Sequence, residues 1–363
     1  VSILDTLGTL PSGEVRRLSP DQLTMFLRSK YQTRAEEERK KDSVKRLDLF
    51  RDRGRRHFEE ALDGIFKNSK VRQWRKDFVR LAEFQNITKR VVREISSVYS
   101  EPATRSVSKA DKNYQELQRV VRMDRKMRQV NRYGNLLNHC LVWPTVVDNA
   151  PLLRTVTTDR FTAVAHPNDP TRAAAFIIDQ FPNGIAVTDA DPHYLLMSEF
   201  EFLKLDKSWR AIGAPEEHGL GRMPALLWSR EEPDDCILDH SSGSDLTSAH
   251  MAVALLNTMM LKHQKSGTKL PYATGDTSAM ASGQPMDEEH LLQAPEGVAL
   301  ATLDLGADPE SYISAVRAVI KQIAANYGIP ESVFDLSYQA TSGVEIELKR
   351  TGLREIRRDQ MLD

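Results

Sequence analysis

The sequence predicts an α+β chain, and three observations carry that prediction. The first third has apolar residues at helical spacing among dense charges. Near Asn138 the period shortens to runs of branched and aromatic residues divided by turn residues. After Ser244 helical spacing returns in two well-bounded segments that flank about forty residues of weak period, a length that in compact domains is usually functional or disordered.

The elements follow in order. Ser19-Pro20-Asp21 opens the first helix: the serine hydroxyl can accept from an orphan backbone N–H, and proline suits the first helical position. A charged helical stretch is expected over 33–66, with Leu47, Phe50, Phe58, Leu62 and Ile65 as its apolar residues. Phe78, Leu81, Ile87, Val91, Val92 and Ile95 continue the spacing to Val98-Tyr99, and Glu101-Pro102 stops it. One further helix is expected over 108–138, basic at Arg119, Arg122, Arg125, Lys126 and Arg128. His139 to Val147 then reads as a strand, and others are expected at 152–157, 161–165, 174–179, 194–198 and 201–205. Turn clusters such as His166-Pro167-Asn168-Asp169-Pro170 and Phe181-Pro182-Asn183-Gly184 separate them. The middle of the chain is therefore a mainly antiparallel β region.

Ser244 is the expected cap of the next helix. Leu246, Ala249, Val253, Leu256 and Met260 follow at alternating spacings of three and four, which predicts a single narrow seam. Lys262, His263 and Lys265 fill its last turn before Gly267. Across the irregular stretch, Asp308 and Pro309 open a second helix with Glu310 at its positive end and a stripe of Ile313, Val316, Ile320, Ile323 and Tyr327. Gly328 and Pro330 end it. Ser342-Gly343-Val344-Glu345 reads as a capping box for a last helix through Leu348, Leu353 and Ile356, basic at Arg354, Arg357 and Arg358. It has no stop signal, so the sequence is expected to end inside a helix. The missing initial Met is likewise expected of a chain trimmed at that end.

Composition sets bounds. The 363 residues are 40% hydrophobic and 28% charged, enough for two or three domains at roughly 100–200 residues each. No apolar run is long enough for a membrane-spanning helix, and no basic-then-apolar leader opens the chain. Cys140 and Cys236 are isolated, so neither a disulfide framework nor a CxxC metal knuckle is expected, and reducing cytoplasm is the default compartment. The net charge of −1 conceals a split: residues 1–135 hold 32 Lys/Arg and 19 Asp/Glu, a net of +13, and the remainder nets −14. A solvated basic helical region accounts for this split, since runs such as Arg51-Asp52-Arg53-Gly54-Arg55-Arg56 have acidic neighbours and no aromatic interleaving.

Catalytic signatures are missing. The sequence contains no phosphate-binding G-x-x-x-x-G-K-[ST], no G-x-S-x-G and no H-E-x-x-H. His250 and His263 are thirteen residues apart, too far along one helix to share a metal, so structural roles are expected. Pro233-Asp234-Asp235 and Glu345-Ile346-Glu347-Leu348-Lys349 resemble fragments of a metal-dependent nuclease motif. Over a hundred residues separate them and the second falls on an expected helix, so a surface turn and ordinary helix charges explain them better. No catalytic residue, cofactor or metal is assigned.

The order of the segments resembles the portal (head-to-tail connector) proteins of tailed bacteriophages and related gene-transfer particles. The carrying residues are Ile323-Ala324-Ala325-Asn326-Tyr327-Gly328-Ile329-Pro330 and Ala340-Thr341-Ser342-Gly343-Val344-Glu345-Ile346-Glu347-Leu348. Asn86-Ile87-Thr88-Lys89-Arg90-Val91-Val92 through Pro102, Gly219-Leu220-Gly221-Arg222-Met223-Pro224 through Trp228, and Asp245-Leu246 through Asn257 fit as well. The order of all five stretches is the signal.

The resemblance implies a portal-type subunit: a helical (1–135) and β-rich (136–243) wing, stem helices at 244–266 and 308–328, a clip at 267–307, a tunnel loop at 329–341 and a last wing helix at 342–363. It further implies a crown absent or truncated, a ring of typically twelve copies at one capsid vertex, and assembly in the host cytoplasm into the virion. Partners would be double-stranded DNA passing without sequence recognition, the major capsid protein, the terminase large subunit (the packaging motor) and a neck or adaptor protein. Leu336, Ser337, Tyr338 and Gln339 would face the DNA, and Met280, Pro285 and Leu291 would lie in the clip. Stem packing would fall to Leu246, Val253, Leu256, Met260, Ile313, Val316, Ile320 and Ile323. Asp335 to Gln339 hold no Lys or Arg, as a channel that must not retain phosphates requires. Two alternatives stay open: a helical scaffold or adaptor with a basic partner-binding region, and the nuclease.

Overall fold

The computed structural model describes residues 18–65, 72–100, 103–105, 107, 111–166, 169–180, 192–232, 236–238, 243–266, 269–274, 299–304, 309–330, 333–334 and 351–362. Among these the chain runs α1 (Pro20–Tyr31), α2 (Arg34–Phe50), α3 (Arg55–Ile65), α4 (Arg72–Leu81), α5 (Ile87–Ile95), α6 (Asp111–Val120) and α7 (Met123–Leu137). Strands β1 (His139–Val147), β2 (Ala150–Thr157), β3 (Phe161–His166), β4 (Asp169–Asp179), β5 (Tyr194–Ser198), β6 (Glu201–Leu205), β7 (Glu216–Glu217) and β8 (Leu226–Ser229) follow. Then come α8 (Ser244–Ser266), β9 (Lys269–Thr274), β10 (Ala299–Asp304), α9 (Pro309–Asn326) and α10 (Thr351–Leu362). The fold is mixed α+β with antiparallel sheets.

Helix starts follow the local chemistry. The Ser19 hydroxyl accepts from the Gln22 N–H at 3.3 Å while the Gln22 side chain accepts from the Ser19 N–H at 3.0 Å, a reciprocal capping box. The Thr33 and Asn86 side chains cap α2 and α5 by accepting from the backbone N–H of Glu36 and of Lys89, without the reciprocal bond. Two expected long helices prove to be broken. The 33–66 stretch stops at Phe50, where Asp52 takes φ 61° and Gly54 packs so closely that a Cβ there would sit 2.8 Å from Leu49. The 108–138 stretch splits at Arg122, whose φ of 52° lies in the left-handed region. Neither break falls at a proline, so composition did not announce it.

The β region forms two sheets packed face to face. Five strands in the order β3-β4-β5-β6-β7 face three in the order β2-β1-β8. Period-two alternation explains why both sheets have two buried faces. In β4, Phe176 and Ile178 point toward Leu141, Trp143 and Val156 of the smaller sheet. Ala175 and Ile177 of the same strand point the other way, onto Leu23 and Leu27 of α1. In β1, Cys140 and Val142 turn from the sandwich to meet Val130 of α7. The layers thus run α1, large sheet, small sheet, α7. Helices from the first third cover both outer faces of the β region, so order along the chain and packing in space do not coincide.

Most of the remaining helices share a second core. Leu47 of α2, Val91 and Val92 of α5 and Leu137 of α7 share one core with Leu246, Ala249 and Val253 of α8 and Ile323 and Tyr327 of α9, with Leu353 and Ile356 of α10 packed against it. Each fully buried side chain of this kind contributes roughly 1.5–3 kcal/mol.

Candidate functional site

The distinctive feature is the α8–α9 pair and the strands between its far ends. Helix α8 has 23 residues, about 35 Å at 1.5 Å per residue, and α9 has 18. They run antiparallel and meet at both ends. At one end Asp245 of α8 accepts from the Tyr327 hydroxyl and from the Asn326 amide, each at 3.0 Å. At the other, the His263 and Tyr312 rings lie 5.5 Å apart. Beyond that second end, β9 and β10 pair antiparallel from Lys269↔Asp304 to Thr274↔Ala299. A helix, a strand, an insertion, a strand and a helix therefore form one continuous arm.

The arm is rooted in the body. Leu246 is 3% exposed, Val253 0% and Ile323 4%, and Val316 and Ile320 lie half-buried against the same core. Leu256, Met260 and Ile313 are half-buried farther along the pair. The single narrow seam expected on α8 is corrected: Ala254 is buried on another face, with Met251, Leu255 and Met259 beside it, against Phe58, Leu62 and Phe78. A helix with apolar residues around most of its circumference is one enclosed from several sides, and α8 is held between α3–α4 and α9.

Electrostatics tie the root. Asp245 sits in the first turn of α8, where the helix dipole favours an anion. Burial, and then the Asp245 carboxylate, raise the Tyr327 phenol well above its usual range, so it remains a donor. Arg230 stacks over the Tyr327 ring at 5.9 Å. Beneath them the Arg46 guanidinium, 2% exposed, donates to Asp42 at 2.7 Å. His250 of α8 is 2% exposed and shares a 2.9 Å hydrogen bond with the Thr88 hydroxyl of α5. Burial pushes its pKa down to about 4, partly opposed by Asp52, so the ring is neutral at pH 7. Its expected structural role holds.

Helix α9 ends in a Schellman turn. The Gly328 N–H donates to the Ala325 carbonyl at 3.2 Å and the Ile329 N–H to the Ala324 carbonyl at 2.8 Å. Gly328 supplies the positive φ of 58° this requires, and Ile329 buries its side chain next to the stop. Past it, Arg90 of α5 hydrogen-bonds the Val333 carbonyl and stacks over Phe334 at 5.6 Å, which anchors the start of the following segment.

The other expected residues fare differently. Leu336, Ser337, Tyr338 and Gln339 lie outside the described residues, as do Met280, Pro285 and Leu291, the capping box at Ser342 and both nuclease-like fragments. Cys140 is buried with its thiol pushed up to about 12, and Cys236 is exposed; both are free. No described helix is long and apolar enough to cross a membrane. Sequence reasoning missed the Asp245–Tyr327 tie and the Thr88–His250 bond. Each joins residues far apart in sequence, and only the placement of Asp245 in a first turn was a readable hint.

No family model and no curated protein matches this chain. Among solved structures it is similar to a chain from the neck of an empty GTA particle computed with C6 symmetry, at TM-score 0.42 and 10% identity over 74% of this chain and 72% of that one. It is also similar to a chain from the virion of a native gene transfer agent (GTA) particle, at TM-score 0.44 and 11% identity over 79% and 82%.

Proposed function

We propose that this chain is a structural portal subunit that assembles into a ring and conducts double-stranded DNA without catalysis. The observation that carries the reading is the arm. An antiparallel helix pair, rooted in a body of helices and sheets and continued by a strand pair into an insertion, is the layout of a stem bearing a clip. The anchored segment after the Schellman stop is where a tunnel loop would leave the stem. In this reading residues 244–266 and 308–328 are the stem, 267–307 the clip, 329–341 the tunnel loop and the rest the wing, with the packaging motor and neck proteins docking at the clip.

Deletion of Leu336–Gln339 tests the loop. Rings should form while DNA packaging or retention falls; loss of rings would make the loop structural and remove the assignment. Substitution of Met280, Pro285 and Leu291 should weaken motor or neck attachment before it affects assembly.

A second reading has one observation in its favour. Arg125, Arg128 and Arg132, spaced along α7, line an open groove of about 780 Å³ with Phe50, Gln129 and Tyr133. A scaffold or adaptor would use such a groove for an acidic partner. That reading requires a monomer that binds acidic peptides, and charge reversal at Arg125 and Arg132 should abolish the binding.

A further inference from the structure

We propose that the cavity between α7, the β1–β2 hairpin and the end of β4 is a binding site for a phosphate-type oxyanion. It is separate from the arm and does not depend on ring assembly. The cavity holds about 230 Å³ and brings Lys126, Arg154 and Arg160 together with Thr155, Gln180 and the Trp143 ring. They come from separate parts of the fold: Lys126 from α7, Arg154 from β2, Arg160 from the turn before β3, and Gln180 from just past β4.

Two buried donors carry the inference. The Arg160 Nε–H and the Gln180 side-chain amide have no hydrogen-bond partner in the structure. Buried polar groups are nearly always paired, and each one left unpaired is destabilising. Here two such residues line one small cavity, and each can donate, the chemistry an oxyanion accepts.

Charge agrees with the donors. The lining holds three cations and one carboxylate, Asp179, a formal +2 that suits a dianion better than a monoanion. Asp179 is also countered from outside the cavity, because Lys40 lies within the electrostatic reach of Asp179, Asp159 and Glu36. The Arg160 Nη2 donates to the main-chain oxygen of Asp179 at 3.5 Å, which holds the guanidinium at the rim. Arg154 stacks on Trp143, its cross-strand partner, with the cation 5.3 Å from the ring centroid. Stacking fixes the guanidinium plane while leaving its N–H edge free to bind.

The test uses the full chain in a phosphate-free buffer. Inorganic phosphate, chloride at matched ionic strength and succinate are titrated separately, with thermal unfolding and calorimetry as readouts. Phosphate should stabilise the protein saturably and chloride should not. Gln180→Met removes an unpaired buried amide, so its midpoint without phosphate should rise while phosphate affinity falls about tenfold. Lys126→Met should weaken phosphate about tenfold with the phosphate-free midpoint little changed. Three results would overturn the proposal: phosphate acting no differently from chloride up to about 10 mM, succinate binding tighter than phosphate, or unchanged affinity in Gln180→Met. The first would point instead to Arg160 pairing with the unpartnered oxygen of its neighbour Asp159.

Discussion

Gly134→Ala should destabilise the fold although helix propensity predicts the reverse. Gly134 lies inside α7, where alanine is favoured over glycine by about 1 kcal/mol. A Cβ at this position would sit 1.5 Å from Cζ3, 2.2 Å from Cε3 and 2.6 Å from Cη2 of Trp228. No flexible tip is available to yield; the obstacle is the indole itself, packed from β8 against Val130, Cys140 and Val142. The ring must leave its seat. Full truncation of a buried tryptophan costs about 3–5 kcal/mol, and Trp228 is half-buried, so roughly 3 kcal/mol is at stake. After the propensity gain, a net loss of about 2 kcal/mol is expected. Urea unfolding of wild type, Gly134→Ala, Trp228→Leu and the double variant measures it as a cycle. The double variant should be no less stable than Trp228→Leu alone, because the obstacle is gone. A neutral or stabilising Gly134→Ala in the wild-type background would refute the packing of α7 on β8.

Two further predictions concern the root of the arm. His250 is neutral when folded, with its pKa near 4, but titrates near 6.5 when unfolded. The unfolded chain therefore binds the extra proton between these values, and stability falls as pH drops through that window, by up to about 3 kcal/mol from this group. His250→Gln should flatten the pH dependence of the urea midpoint between pH 6.5 and 4; an unchanged slope would contradict the buried neutral ring. Tyr327→Phe should cost about 1–2 kcal/mol, because it removes a donor to a charged acceptor at a partly buried site. Asp245→Asn should then cost less in the Tyr327→Phe background than in the wild type, and full additivity would mean the two do not interact.

Much of the fold was readable because local signals agreed with tertiary packing. The strand expectations at 194–198 and 201–205 match β5 and β6, since alternation and turn residues there are unbroken. Ser19, Pro309 and Gly328 marked helix ends through backbone chemistry that acts within a few residues. The breaks at Asp52 and Arg122 were not readable, because left-handed residues without glycine are imposed by packing. The β1–β2 turn hides similarly: Asp148 and Asn149 both take positive φ in a two-residue hairpin without the usual glycine. The second buried face of α8 was invisible because its partners, Phe58, Leu62 and Phe78, lie far upstream. At the candidate site, the buried positions Leu246, Val253 and Ile323 of the helix pair were legible from spacing, whereas the tie from Asp245 to Tyr327 spans the whole insertion.

The central claim is that the α8–α9 arm belongs to a ring. Negative-stain imaging of the purified chain, with native mass measured on the same sample, tests this most directly. The account predicts radially symmetric particles with a central channel, the arms lying side by side around it and the mass a whole multiple of one chain, twelve being the expected number. A homogeneous monomer at micromolar concentration, with no particle showing a central hole, would contradict it.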